Sequence, residues 1–222
     1  MPLTSVLKQV IPGRGWEWLK SRYFFLLKIK YRILGRPQLR TETFKAKPRR
    51  IREEFFEKYC VGKGLDIGYG GDLLAENCRG WDFEDGDAQY LTGIPDAQFD
   101  FVYASHILEH MIHPETALKN WWRVLKNNGY LIFCVPDRDL YEKKKTLPSR
   151  WNSDHKFFFL LDRDEKPDTI GVIPLLERSL NHFTIIYAKV CREGHTVTAP
   201  EKHSDGEYSI EVVLRKRSEI PN

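Results

Sequence analysis

The run Leu65-Asp66-Ile67-Gly68-Tyr69-Gly70-Gly71-Asp72 sets a carboxylate two residues ahead of closely spaced glycines. Glycines let a backbone come close to a ligand that a Cβ would hold away. At the end of a parallel strand such a turn usually suggests a nucleotide cradle. Asp66 points elsewhere, because a fixed carboxylate opposes a pyrophosphate and suits a ligand carrying an ammonium group. Leu73 also occupies the place of the third glycine in G-x-G-x-x-G. The turn therefore favours an amino-acid-bearing cofactor over a dinucleotide.

A second pattern, His106-Ile107-Leu108-Glu109-His110, matches the H-x-x-E-H of some zinc peptidases, where two histidines one helical turn apart bind metal. A five-residue match recurs by chance, and no distant glutamate offers itself as third ligand, so no metal set is assigned. Asp137, Asp139 and Asp154 could bind Mg²⁺, although scattered acids are usually solvated. The stretch from Asp137 to Lys156 is dense in hydrogen-bonding groups. Its Lys143-Lys144-Lys145 run reads as a solvated face rather than a phosphate clamp. Trp151 with Asn152, Asp154 and His155 fits a sugar platform or a packed lid equally well.

These residues need a scaffold, and the hydrophobic pattern supplies one. Helical stretches are expected over Arg52 to Tyr59, His106 to Met111, Pro114 to Leu125 and Ile173 to Leu180. Strands are expected at Gly64 to Gly68, Gly80 to Phe83 (weak), Phe99 to Tyr103, Tyr130 to Val135, Phe183 to Cys191 and Tyr208 to Lys216. Alternation of this kind implies a parallel sheet covered on both faces. The last two strands, joined by a polar stretch at 193–207, read as an antiparallel hairpin at one edge.

In this order the motifs resemble the class I S-adenosylmethionine-dependent methyltransferases, type 11 group. Gly64 to Gly71 is similar to their motif I, and Gly86-Asp87-Ala88 to their adenine-contacting "GDA" element. Phe99 to His110 resembles their strand-four motif, and Trp122 to Tyr130 the "RVLKPGG" turn before strand five. The resemblance spans residues 60–136. It implies an α/β, Rossmann-like, mostly parallel seven-stranded sheet with helices on both faces and an antiparallel edge hairpin.

It also implies S-adenosylmethionine as cofactor. Asp66, Gly68 and Gly70 would surround its methionine part, and Asp87 and Ala88 would hold the adenine edge. Ser105 and His106 would line it at the end of strand four. Asp82 would take the ribose hydroxyls, with Glu84 and Asp85 as alternatives, since strand two runs almost directly into the "GDA" element. Asp72 and Asn127-Asn128 depart from the family pattern.

Methyl transfer from a sulfonium is an in-line displacement, so proximity and orientation come first. A hydroxyl acceptor also needs a base, and histidine suits that near neutral pH. His155 and His110 are the catalytic candidates, with His106 behind them. An amine acceptor would need no strong base. The polar loop suggests a small or lipid-linked glycan acceptor, such as a sugar hydroxyl of a surface polysaccharide. Nucleic acid is disfavoured as acceptor because Ala104-Ser105-His106-Ile107 stands where amino-group nucleic-acid methyltransferases carry an "NPPY"-like motif. The alternative is a catalytically silent, cofactor-binding interaction protein.

Composition sets the boundaries. The chain has 222 residues, 41% hydrophobic and 30% charged, as expected for a soluble globular protein. Four scattered cysteines lack any C-x-x-C pair, which excludes a zinc ribbon or disulfide framework and makes a reduced, cytoplasmic setting the expectation. The net charge of +4 hides an asymmetry: residues 1–50 hold 13 Lys and Arg against two acids. Two regions follow, a basic, aromatic N-terminal extension (1–50), expected to be helical, and a methyltransferase domain (51–222) with a substrate-side insertion at 137–160. Residues 14–36 carry Trp16 and Tyr23 among lysines and arginines and could meet a membrane surface peripherally.

Overall fold

The computed structural model describes residues 41–218, together with Arg22. The extension ahead of residue 41, including the 14–36 segment, lies outside the described residues apart from Arg22, which is helical.

Two helices precede the sheet. Helix α1 (Glu42–Arg52) opens on Thr41, whose hydroxyl accepts the amide of Phe44, and α2 (Phe55–Tyr59) follows a break at Glu54, where φ is 53°. Glu54 thus divides what the sequence suggests as one helix from Arg52 to Tyr59. The sheet holds β1 (Gly64–Ile67), β2 (Cys78–Trp81), β3 (Phe99–Ser105), β4 (Leu125–Pro136), β7 (Phe183–Cys191) and β8 (Ser209–Lys216) in the order β2-β1-β3-β4-β8-β7. The first four are parallel, and β8 runs antiparallel to both β4 and β7. The expected edge hairpin is present.

The expected seventh strand is absent among the described residues, where the main sheet holds six. Residues 82–98 make hydrogen-bonded turns instead, Asp85 to Asp82, Leu91 to Asp87 and Ile94 to Leu91. This stretch is rich in acids and contains Gly86, Gly93 and Pro95, which suit turns and not a buried strand. A separate two-stranded parallel sheet, β5 (Phe158–Leu160) with β6 (Thr169–Gly171), extends the insertion beyond residue 160.

Alternation along the strands divides the core in two. Val102 and Ala104 of β3 and Leu131 and Phe133 of β4 face the cluster closed by α3 (Pro114–Arg123) and α4 (Val172–Ser179). Phe101, Tyr103 and Ile132 face Phe55 on the other side. Trp121 of α3 is fully buried with its indole N–H donated to the Ala88 carbonyl, 2.9 Å away. That bond ties the "GDA" turn to the core.

Helix α1 crosses the proposed boundary at residue 50 and belongs to the body. Arg49 contacts Glu207 and Glu211, and the fully buried Arg50 donates to Glu211 at 2.7 and 2.8 Å. Part of the basic charge of residues 1–50 is therefore neutralised inside the fold. The Asn127-Asn128 departure is also accommodated, since Asn128 adopts φ 64°, a left-handed geometry that asparagine tolerates.

Candidate active site

The strand order reverses between β1 and β3, and in open α/β sheets ligands bind at that point outside the carboxyl ends of the strands. A cleft of about 810 Å³ lies there. It is lined by Gly68 at the end of β1, Asp82 and Phe83 after β2, Asp87 and Ala88 of the "GDA" turn, and His106 and His110 after β3. Its size falls in the range of about 300–1,000 Å³ common for small-molecule sites.

Gly68 has φ +70°, and a Cβ there would lie 2.0 Å from Cδ1 of Ile107. Its amide donates to the Trp81 carbonyl at 2.7 Å, which joins the ends of β1 and β2. Asp82 accepts the amide of Gly70 at 3.1 Å, so the candidate ribose acid also holds the glycine turn. Asp87 accepts the amide of Gln89 at 2.8 Å, which fixes its carboxylate at the cleft wall. Glu84 and Asp85 are not among the lining residues.

Asp66 is placed differently. It is buried and accepts the amide of Leu74 at 2.7 Å, beneath the turn and outside the cleft lining. Burial pushes its carboxyl up to about 8, against the Leu74 hydrogen bond and Arg50, which pull it down. Ser105 lies behind the cleft in a small void shared with Arg50 and Glu211.

His106 takes φ 55° and shares a 2.7 Å hydrogen bond between its Nε2 and the Ser209 hydroxyl. Burial pushes its imidazole down to about 3, so it stays neutral and is a poor base. The segment from His106 to Met111 is no helix but a single 3-10 turn, Leu108–His110. The two histidines of H-x-x-E-H therefore do not share a helical face, and the peptidase geometry is absent.

His155 comes from the insertion. The Lys156 amide donates to the Glu109 carbonyl at 2.7 Å, which draws His155 to the end of β3. The rings of His155 and His110 are 5.0 Å apart. Each imidazole meets a carboxylate through Nδ1, His155 with Glu142 at 2.9 Å and His110 with Asp154 at 3.1 Å. Burial and the neighbouring His155 hold His110 below the ordinary histidine range, while Asp154 opposes them. Glu142 stays below the usual carboxylate range: burial works against it, but bonds from His155, Ser149 and the Arg150 amide prevail.

Trp151 donates its indole N–H to the Tyr141 carbonyl and stands edge-on to His203. Lys143 and Lys144 reach backbone carbonyls, and Lys145 is exposed. Three contributors to the site escape the sequence argument. Phe83, Tyr90 and Ile112 are exposed large apolar residues on the cleft rim, and only Phe83, next to the acid Asp82, had a sequence signal.

Residues 64–133 match a family model described as a methyltransferase domain. Over these residues the chain is similar to the methyltransferase domains of the type 11 group. No curated protein matches the chain. Among solved structures, a SAM-dependent methyltransferase from Thermotoga maritima is 17% identical with a TM-score of 0.43, covering 79% of this chain and 99% of its own. The corresponding figures for a SAM-dependent methyltransferase from Aquifex aeolicus are 13%, 0.43, 79% and 98%. The [4+2]-cyclase SpnF is 14% identical with a TM-score of 0.48, covering 76% of this chain and 80% of its own. These likenesses are of backbone shape and carry no reaction with them.

The cofactor that this similarity implies is S-adenosylmethionine, and the residues present fit it. Gly68 at the end of β1 packs so closely on Ile107 that only a glycine fits, and Asp82 and Asp87 supply acceptors along the cleft wall. The apolar side chains of Phe83 and Ile112 border the same space.

Proposed function

We propose that the protein moves the methyl group of S-adenosylmethionine to a hydroxyl of a small or lipid-linked acceptor, with a sugar hydroxyl of a surface polysaccharide as the favoured class. The observation that carries this reading is the placing of two carboxylate-bound imidazoles, His110 and His155, beside a cleft built from Gly68, Asp82 and Asp87. When bound, the cofactor supplies an electrophilic methyl group on a sulfonium.

The chain's part is to orient and to handle a proton. An imidazole that gives its Nδ1–H to a carboxylate keeps a lone pair on Nε2, and the carboxylate steadies the ring as it becomes charged. His155 with Glu142 and His110 with Asp154 both meet that requirement. Either imidazole would accept the hydroxyl's proton as the acceptor oxygen took the methyl group that bound S-adenosylmethionine would supply. The basic segment 14–36 would hold the protein at an anionic membrane surface where lipid-linked acceptors reside.

Mass analysis of surface glycans from cells lacking the protein tests the acceptor class. Loss of a methylated sugar supports it, and an unchanged methylation pattern removes it. Sedimentation with anionic vesicles tests the arm: salt-sensitive binding that disappears on deletion of residues 1–40 is expected. No described helix is long and apolar enough to cross a membrane.

A further inference from the structure

Glu109 is the least expected group in the molecule. Its carboxylate is 1% exposed, and neither oxygen has a hydrogen-bond partner among the described residues. A buried carboxylate left in this way is costly unless it takes up a proton or a cation completes it. One ligand atom each from Glu109, His110 and His155 lies within 4.8 Å of the other two.

We propose that Glu109, His110 and His155 form a binding site for a divalent transition-metal ion of the zinc type, at the edge of the cofactor cleft. Nε2 of His110 is 4.0 Å from Oε1 of Glu109. Two ligands of a tetrahedral ion with bonds of about 2.0–2.1 Å stand about 3.4 Å apart, so modest side-chain movement closes the set. Two imidazoles and one carboxylate suit zinc and its neighbours, whereas Mg²⁺ and Ca²⁺ prefer oxygen alone.

The surroundings are those of a ligand set. Glu142 and Asp154 engage the Nδ1 atoms of His155 and His110, which leaves the two Nε2 atoms as donors to a metal. Carboxylates behind ligating histidines are the usual device for fixing ring orientation and tautomer. The Glu142 side chain is itself 1% exposed and also accepts the Arg150 amide, so the support is rigid. His106, whose Nδ1 is 3.6 Å from Glu109, is committed to Ser209 through its other nitrogen.

Three protein ligands leave a position unfilled, as in catalytic rather than structural zinc sites. His110 lines the cleft, so an acceptor oxygen has a route to that position. An ion there would favour ionisation of the acceptor hydroxyl and take over the task given above to a free imidazole. This role rests on the methyltransferase reading, whereas the site itself does not.

The test uses the full chain, stripped with a chelator and dialysed. Titration with Zn²⁺ by calorimetry should show one equivalent bound at micromolar Kd or tighter, and Co²⁺ should give the intense visible bands of a four-coordinate ion. Glu109→Gln and His155→Ala should each weaken Zn²⁺ binding at least about 100-fold, and Glu142→Gln about 10- to 100-fold. Binding of S-adenosylhomocysteine, measured on the same variants, reports that they are folded. Millimolar or absent Zn²⁺ binding by the wild type overturns the proposal, as does tight binding that Glu142→Gln and His155→Ala leave unchanged. Metal binding without S-adenosylhomocysteine binding would instead sink the methyltransferase reading and leave the metal site standing.

Discussion

At the scale of single residues, Gly68 and Asp66 carry the same turn in different ways. Gly68 needs φ +70° and contact with Ile107, so Gly68→Ala adds strain and a clash together. A cost of about 1–3 kcal/mol is expected for such a backbone position. Melting of the variant should fall accordingly, with S-adenosylhomocysteine affinity reduced at least tenfold by calorimetry. Asp66 acts from below the turn, and its effect depends on pH. Between its ordinary range near 3.8 and about 8, the folded protein keeps a proton that the unfolded chain has released. Stability attributable to Asp66 therefore falls as pH rises through that window. Asp66→Asn keeps an acceptor for the Leu74 amide and removes the titration, so its denaturation midpoints should decline less between pH 5 and 8 than those of the wild type. His155→Ala should cut methyl transfer by about 10²–10⁴-fold while leaving cofactor affinity in place. A fall in both would make His155 part of the cofactor pocket instead.

At the scale of elements, helix α1 is pinned to β8 through charge. Arg50 and Glu211 are both fully buried, and removing one partner of such a pair typically costs about 3–5 kcal/mol. Arg50→Met should therefore lower denaturant midpoints sharply, and Arg50→Met with Glu211→Met should recover much of the loss. Burial would raise the Glu211 carboxyl, but Arg50 and Arg49 outweigh it and hold the group near about 2. Its contribution is complete above the ordinary range near 4.5 and disappears as pH falls through about 2. Acid unfolding of the wild type should be steep in that window, and Glu211→Gln should flatten it.

The same scale shows what pattern could and could not reveal. Apolar alternation and turn residues located β1, β3, β4, β7 and β8, because each strand faces a core on both sides or closes an edge. They missed β5 and β6, which are three residues each and take their shape from packing under the insertion. The helix expected after β3 fails at His106, where φ 55° breaks the helical path before it begins. Spacing within one segment brought out His110, and the polar insertion brought out His155. That the two rings meet was illegible, since the Lys156–Glu109 backbone bond joins segments nearly fifty residues apart. Glu109 was visible inside H-x-x-E-H, but its isolation from hydrogen-bond partners is a property of the folded interior alone.

At the scale of the whole molecule, the fold sets a cofactor cleft at the switch point of the sheet and folds an insertion over its far edge. The cleft residues come from the ends of β1, β2 and β3 and the "GDA" turn, while the paired imidazoles come from the turn after β3 and the insertion. The 82–98 turns deliver Asp82 and Asp87 to the cleft wall. These carboxylates and the glycine turn are the groups proposed to hold S-adenosylmethionine. That role is tested most directly by calorimetric titration of S-adenosylhomocysteine into the wild type, Asp82→Ala and Asp87→Ala. Micromolar binding by the wild type and at least tenfold weaker binding by each variant are expected. A well-folded wild type that does not bind, or binding that neither substitution changes, would contradict it.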